Sequence, residues 1–282
     1  MPKALHSMPQ APGNSKLYMV LSKNQIKRIR SLKHKKFRDR HGLFAVEGSK
    51  VVRELASADA HEHSRFHIHS LYATLGWLNH NRESLTGSYP VTGISEQDLE
   101  KISFLSTPNE ALALVKIPEY ELNPESLQAE LTLVLDSVRD PGNLGTIIRI
   151  ANWFGIPNIV CSPDSADLFN PKTIQSTMGS FLSVSVFYTA LCPLLSYFYH
   201  ETSLPVYGAF LSGVNIYTHP LESHALIVLG NESQGISEQI MPFIRTRLNI
   251  PAFSPDNKPD SLNVAQAAAI ICSEFRRKRL SK

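Results

Sequence analysis

Three stretches of this sequence combine residue types that can hold and polarise a ligand. The first, Leu133 to Gly155, reads as strand, glycine-rich turn and helix, with Asn143 and Arg149 among its polar groups. Gly142 and Gly145 let backbone come close to another group, and Arg149, about one turn beyond Gly145, can reach back over the strand ends where ligands of parallel sheets gather. A dinucleotide-binding turn would need G-x-G-x-x-G and a later acid, and a P-loop would need G-K-S or G-K-T; neither occurs. By itself this cluster is equally a structural turn with a surface arginine. In the second stretch, Leu226 to Ser237, Asn231 and Glu232 follow an apolar strand directly, with Gly235 behind them and Ser237 placed to cap a helix. An amide and a carboxylate at a strand end make a poor structural turn and a good polar pocket wall. The third, Leu248 to Ile271, runs from a strand ending at Ile250 through a loop to Ser261, which is placed to cap an alanine-rich helix. Such a helix permits the close backbone packing that a dimer seam or a tight chain crossing requires.

The elements that must position these groups follow from the apolar pattern. From Leu131 onward, runs of four to six apolar residues alternate with helical periods, which implies a mostly parallel sheet covered on both faces. Strands are expected at Leu131 to Asp136, Asn158 to Cys161, Val184 to Val186, Val206 to Phe210, Ala225 to Leu229 and Arg247 to Ile250. Upstream, a smaller α/β unit is expected. It has a basic amphipathic helix within Lys23 to His41, a buried strand in Gly42 to Gly48, a helix from Ser49 to Ala58, a strand at His69 to Ala73, helix around Ser95 to Ser103 and a strand at Ala111 to Ile117. The chain thus divides into a flexible start (1–15), an N-terminal unit (16–118), a polar linker (119–130) and a C-terminal unit (131–282).

Composition narrows the class. With 282 residues, 43% of them apolar, and 18 Pro and 14 Gly scattered along the chain, extensive disorder and collagen-like order are excluded. The 28 basic and 25 acidic residues leave only +3, so attraction to nucleic acid must come from placement of charge, which is densest in the basic run of Lys23 to Arg40. That run reads either as a solvated face or as a phosphate-binding one. Three separated cysteines without C-x-x-C suggest neither a disulfide framework nor zinc, and fit a reducing cytoplasm. No apolar run approaches membrane-spanning length, and the first fifteen residues lack a signal-peptide core. The histidine-rich piece His61 to His69 could project imidazoles from one side of a strand, but has no recognisable metal-ligand spacing, and no metal is expected.

Taken together, the three clusters resemble the three motifs of the SpoU/TrmH family of RNA ribose 2'-O-methyltransferases, within the SPOUT superfamily. The matching residues are Asp136-x-Val138-x-Asp140-Pro141-x-Asn143-x-Gly145-x-Ile147-Ile148-Arg149-x-Ala151, then Leu229-Gly230-Asn231-Glu232-x-x-Gly235-Ile236, then Ile250-Pro251 followed by Ser261-Leu262-Asn263-Val264 and alanines. Lys36-x-Arg38-x-x-x-Gly42-x-Phe44-x-Val46-Glu47-Gly48 is similar to the start of the family's accessory substrate-binding domain. The resemblance implies an α/β SPOUT domain with a deep trefoil knot, preceded by a smaller, ribosomal-protein-like α/β RNA-binding domain. It also implies methyl transfer from S-adenosylmethionine to a ribose 2'-hydroxyl of structured RNA, with ribosomal RNA favoured over transfer RNA, by a homodimer.

By the same resemblance, Asn143, Arg149, Glu232, Ser261 and Asn263 form the catalytic set. Leu229, Gly230, Asn231, Ile250, Leu262 and Asn263 hold the methyl donor. Lys27, Arg28, Arg30, Lys35, Lys36, Arg38 and Lys172 are the expected RNA contacts, since cations neutralising phosphates supply affinity without sequence choice. A second basic run, Arg276 to Arg279, is either a further RNA contact or favourable charge at a helix end. Three departures from the family pattern stand out: Gln175 replaces the usual Arg in Asn170-Pro-Lys-Thr-Ile-Gln-Ser-Thr-Met-Gly-Ser180, the third motif has about three extra residues and lacks a glycine between Pro251 and Ser261, and Ala111 stands where relatives frequently have Gly. Two competing readings are a relative that occupies ribosomal RNA without methylating it, and a nucleotide-dependent α/β enzyme with no RNA affinity.

Overall fold

The structure, a computed structural model, describes residues 19–61, 63–254 and 261–277. The expected flexible start, most of the lengthened third-motif loop and the last two residues of the C-terminal basic run lie outside them. Two helices open the described chain, α1 (Lys23–Ser31) and α2 (Lys35–His41), where the basic run predicts one. Ser22 caps α1 by accepting from the Gln25 amide, and the chain breaks at Leu32 to His34, which lets Leu32 turn into the core while Gly42, at φ 61°, ends α2. Then follow β1 (Leu43–Glu47), α3 (Ser49–Asp59), β2 (Ile68–Ala73), α4 (Leu75–His80), β3 (Val91–Gly93), α5 (Glu96–Ile102) and β4 (Ala111–Lys116). The sheet order is β1-β4-β2-β3, antiparallel except for β2 with β3. Alternation along β1 sends Leu43 and Ala45 to the cluster under α1 and α5, and Phe44 and Val46 to the opposite face.

The expected linker is packed rather than loose. Residues Pro124–Ala129 form a short 3-10 helix with Leu127 fully buried, and the Tyr120 hydroxyl donates to the Val186 carbonyl at 2.9 Å. Its anchoring is invisible in the sequence because one buried leucine and one half-buried tyrosine carry no period.

The remaining elements are β5 (Leu131–Leu135), α6 (Pro141–Trp153), β6 (Asn158–Cys161), α7 (Pro171–Thr177), β7 (Ser185–Tyr188), α8 (Leu191–Glu201), β8 (Val206–Phe210), β9 (Val214–Asn215), β10 (Ala225–Leu229), β11 (Thr246–Asn249) and α9 (Val264–Arg277). They build a seven-stranded sheet of order β7-β6-β5-β10-β8-β11-β9 with every pairing parallel. Both faces are covered, as the continuous apolar runs require. Leu131, Leu133 and Leu135 of β5 and Ala225, Ile227 and Leu229 of β10 pack with residues of α6, α7 and α9, whereas Val134, Leu226 and Val228 meet Leu191, Leu194, Leu195 and Phe198 of α8.

The two sheets share one core. Phe44 and Phe66 of the first unit interlock with Phe169 and Phe181 of the second, with ring centroids 4.7 Å apart for Phe44 and Phe169 and 5.1 Å for Phe66 and Phe181. Arg65 donates to the Leu182 carbonyl at 3.1 Å and to the Ser185 hydroxyl at 2.5 Å beside this cluster.

Candidate active site

The strands run β5, β6, β7 toward one edge, and the chain then crosses to the other side, so β5 and β10 meet where the winding reverses, with Leu135 opposite Leu229. In open α/β sheets this point leaves a crevice outside the carboxyl ends of the strands. The first and second motifs begin there. The buried Asp136 carboxylate accepts from the Ser237 amide at 2.7 Å, tying the two turns together. Ser237 therefore caps no helix: only a short 3-10 turn, Met241–Phe243, follows it. Asn231 and Gly235 exchange backbone hydrogen bonds at 2.9 Å each, which folds the loop back on Gly230. A Cβ on Gly230 would lie 2.2 Å from the Gly235 carbonyl carbon, so only glycine fits at that strand end.

The third motif joins them through side chains. Asn143 donates from Nδ2 to Glu232 Oε1 at 2.7 Å, and Asn263 donates from Nδ2 to Asn143 Oδ1 at 3.0 Å. Asn143 occupies the first turn of α6, fixed because the Asp140 carboxylate accepts from the Asn143 amide at 2.9 Å. That amide bond and a partner ammonium, Lys172 Nζ at 3.1 Å from Asp140 Oδ2, hold the Asp140 carboxyl below its ordinary range despite some desolvation. Asn263 Oδ1 accepts from the Ala265 amide at 2.9 Å, so Asn263 caps α9 and not Ser261, which is exposed two residues earlier. A polar chain of Glu232, Asn143 and Asn263 thus links side chains 89 and 120 positions apart.

Arg149 is not part of that chain. The buried face of α6 is Leu144, Gly145, Ile147, Ile148 and Ala151, which leaves Thr146, Arg149 and Asn152 on the outer stripe. Among the described residues Arg149 has no hydrogen-bond or ion-pair partner, so its fork is available to a bound molecule.

Beside the polar chain lies a mixed apolar and amide surface suited to a nucleoside. Leu229 is buried at the end of β10, Ile250 is half-buried beyond β11, and Leu262 is 46% exposed. The end of β8, which sequence reasoning did not single out, contributes Leu211, 74% exposed, behind two carbonyls held by Asn249: Nδ2 donates to Leu211 at 2.7 Å and to Phe210 at 3.4 Å. An apolar side chain left in water at a strand end is a signal only once the strand order is known. Adenine needs this mixture of exposed apolar side chains and backbone polar groups, so the residues present fit an S-adenosyl donor.

The expected RNA contacts divide. Lys27, Arg28, Lys35 and Lys36 are exposed on α1 and α2, while Arg30 is exposed and donates to the Ser103 carbonyl. Lys172 is exposed beside Asp140. Arg38 is corrected: its side chain is 2% exposed, donates to the Leu32 and Lys33 carbonyls at 2.8 and 3.0 Å, and pairs with Asp167 Oδ2 at 2.5 Å. It joins the two units and is closed to phosphate. Arg276 likewise donates from Nε to the Phe154 carbonyl at 2.7 Å and from Nη2 to the Gly155 carbonyl at 2.6 Å, closing the end of α6. Of the histidine-rich piece, His67 pairs with Asp59 at 3.0 Å, and His69, near Arg28 and Lys116, is shifted down first by desolvation and then by those two cations. Gln175 sits half-buried on α7. Among the described residues no helix is long and apolar enough to cross a membrane.

Residues 130–273 match the SpoU rRNA Methylase family, and residues 23–113 match the MRM3-like substrate binding domain. The chain is 31% identical over 263 residues to the Bacillus subtilis 23S rRNA (guanosine(2553)-2'-O)-methyltransferase RlmP, covering 90% of this chain and 97% of that protein. A TrmH-family structure from Porphyromonas gingivalis superposes with a TM-score of 0.78 at 38% identity, covering 92% of this chain and all of that one. The AdoMet-bound rRNA methyltransferase of Sinorhizobium meliloti superposes with a TM-score of 0.77 at 26% identity, over 92% of this chain and 97% of that one.

Proposed function

The chain belongs to the SpoU rRNA methylase family, and from that premise we propose how its own residues perform the reaction. It is an S-adenosylmethionine-dependent methyltransferase acting on a ribose 2'-hydroxyl of ribosomal RNA. The observation that carries the assignment to this site is the hydrogen-bonded chain of Glu232, Asn143 and Asn263 beside the crevice of β5 and β10. Leu229, Gly230, Asn231, Ile250 and Leu262 hold the donor, with Leu211 added from the end of β8. When bound, S-adenosylmethionine supplies an electrophilic sulfonium methyl. We infer that the last segment reaches this crevice through the trefoil knot implied by the motifs.

A ribose hydroxyl is a poor nucleophile until its proton is shared. Arginine is a poor base, because a guanidinium keeps its proton at ordinary pH. Arg149, on the outer stripe of α6 and without a partner among the described residues, clamps the phosphate beside the target ribose and polarises the hydroxyl, and the proton leaves to phosphate or water as attack proceeds. Asn143 holds one oxygen of Glu232, which orients the other toward the same hydroxyl. Ser261, exposed two residues before Asn263, completes the catalytic set. Exposed Lys27, Arg28, Arg30, Lys35, Lys36 and Lys172 bind the surrounding phosphates, so the N-terminal unit (16–118) is the RNA-binding domain and 131–282 the methyltransferase domain. The protein works in the cytoplasm as a homodimer; Trp153, 85% exposed at the end of α6, is a side chain that a second copy would cover.

The test is a 2'-O-methyl map of total RNA from cells with and without the protein, with methyl transfer repeated in vitro on the RNA so identified. One ribosomal ribose losing its methyl group supports the reading, and identical maps refute it. Sedimentation of the same protein preparation as a monomer would refute the dimer.

A further inference from the structure

Ser137 carries backbone strain that nothing in the reaction as described uses. Its φ is 57°, the left-handed region, which a residue with a Cβ adopts under strain and keeps only when its surroundings hold it. Three hydrogen bonds do so. The Ser137 amide donates to the Ser162 hydroxyl at 2.8 Å, the Ser137 hydroxyl donates to Asp164 Oδ2 at 2.7 Å, and the Ser137 carbonyl accepts from Asn231 Nδ2 at 2.8 Å. Asn231 is thereby gripped from outside its loop, while its Oδ1 accepts from the Ser233 and Gln234 amides at 2.9 and 3.1 Å. Asp164 is the anchor. Besides Ser137 it takes the Ser162 hydroxyl at 2.7 Å and Arg139 Nη2 at 2.9 Å, and these bonds hold its carboxyl down to about 2, from an ordinary 3.8.

We propose that Asp164 and Ser137 are positioning residues for the methyl donor: Asp164 holds Ser137 in its left-handed conformation, which aims the Ser137 carbonyl at Asn231 and fixes the donor-binding loop. In this role Asp164 acts through the turn and not on the donor or the RNA directly. The inference rests on the donor site proposed above. Glycine would serve at position 137 without strain, so the serine places the conformation under the control of a carboxylate on the neighbouring strand end. Arg139, bound to the same carboxylate, lies at the surface of this latch.

The test separates strain from simple loss of a hydrogen bond. Ser137→Ala and Ser137→Gly both remove the hydroxyl, but only glycine adopts φ 57° freely. Ser137→Ala is expected to raise the KM for S-adenosylmethionine about fivefold or more, and Ser137→Gly less than about twofold, with kcat and RNA affinity nearly unchanged in both. Asp164→Asn should weaken donor binding as Ser137→Ala does, and adding Ser137→Gly should restore it. Equal effects of the two serine variants, or no recovery in the double variant, would overturn the proposal. Gly230→Ala serves as the control on the underlying reading, read by calorimetry with S-adenosylmethionine alone. If it binds donor as tightly as the unaltered protein, the donor site itself is misplaced and the latch falls with it. If Gly230→Ala loses donor while Ser137→Ala and Asp164→Asn keep it, the latch alone is wrong.

Discussion

Arg149 and Asn143 lie on one helix, yet they do different work. Asn143 is held by Asp140, Glu232 and Asn263 together, so its amide is pre-oriented, whereas Arg149 has no protein partner among the described residues. A lysine at 149 would keep the charge and lose the planar fork. We expect Arg149→Lys to lower kcat by about tenfold or more while leaving donor affinity intact, measured by single-turnover methyl transfer; near-normal turnover would refute the bidentate clamp. At this scale the sequence was legible wherever chemistry depends on residue type: Asn143, Glu232 and Asn263 are named by their motifs and do converge. It was opaque where conformation carries the role. Nothing in the letters around Ser137 announces a positive φ, since serine is not the residue that usually adopts one. Arg38 misled for another reason, because a run of cations does not reveal which one a second unit will bury.

Helices α6 and α7 touch through Gly145. A Cβ there would lie 2.4 Å from Ser176 Cβ and 2.6 Å from the Thr173 carbonyl oxygen, so the glycine sets the distance between the two elements. In an isolated helix, replacing an interior glycine by alanine stabilises by about 1 kcal/mol. Here the sign should reverse. Gly145→Ala is expected to destabilise by about 1–3 kcal/mol, read by urea unfolding, and to slow methyl transfer because Asn143 sits two residues before the displaced contact. A variant as stable as the parent would show that α7 yields freely. The alternation of strand and helix in the C-terminal part was readable because fully buried parallel strands appear as continuous apolar runs. Strands β3 and β9 were not, being three and two residues long, too short to show a period. Ser237 and Ser261 read as helix caps and neither is one, because several polar residues precede each candidate helix and only packing selects which one turns its side chain inward.

Across the molecule, the two sheets are joined by far more than the polar linker between them. Phe44 is fully buried against Phe169 and Phe181, and Arg38 pairs with Asp167 in the loop that leads into α7. Phe44→Ala should cost about 3–5 kcal/mol, and unfolding followed by fluorescence and by circular dichroism should remain one coincident transition, because the cavity opens in a core common to both sheets. Two separated transitions would show the units to be independent. Aromatic residues at 44, 66, 169 and 181 are unremarkable one by one, and their meeting is a property of the folded chain alone.

That joint turns the protein into a caliper. Lys35 on α2 and Asn143 on α6 are carried by elements packed around the same aromatic wedge, so on the roles proposed above the interval between phosphate grip and methylation point is set by that shared core. An RNA whose backbone does not present a ribose at that interval pays the whole mismatch itself. Substrate choice can therefore operate by gauge, rejecting strands of the wrong shape before any base is read.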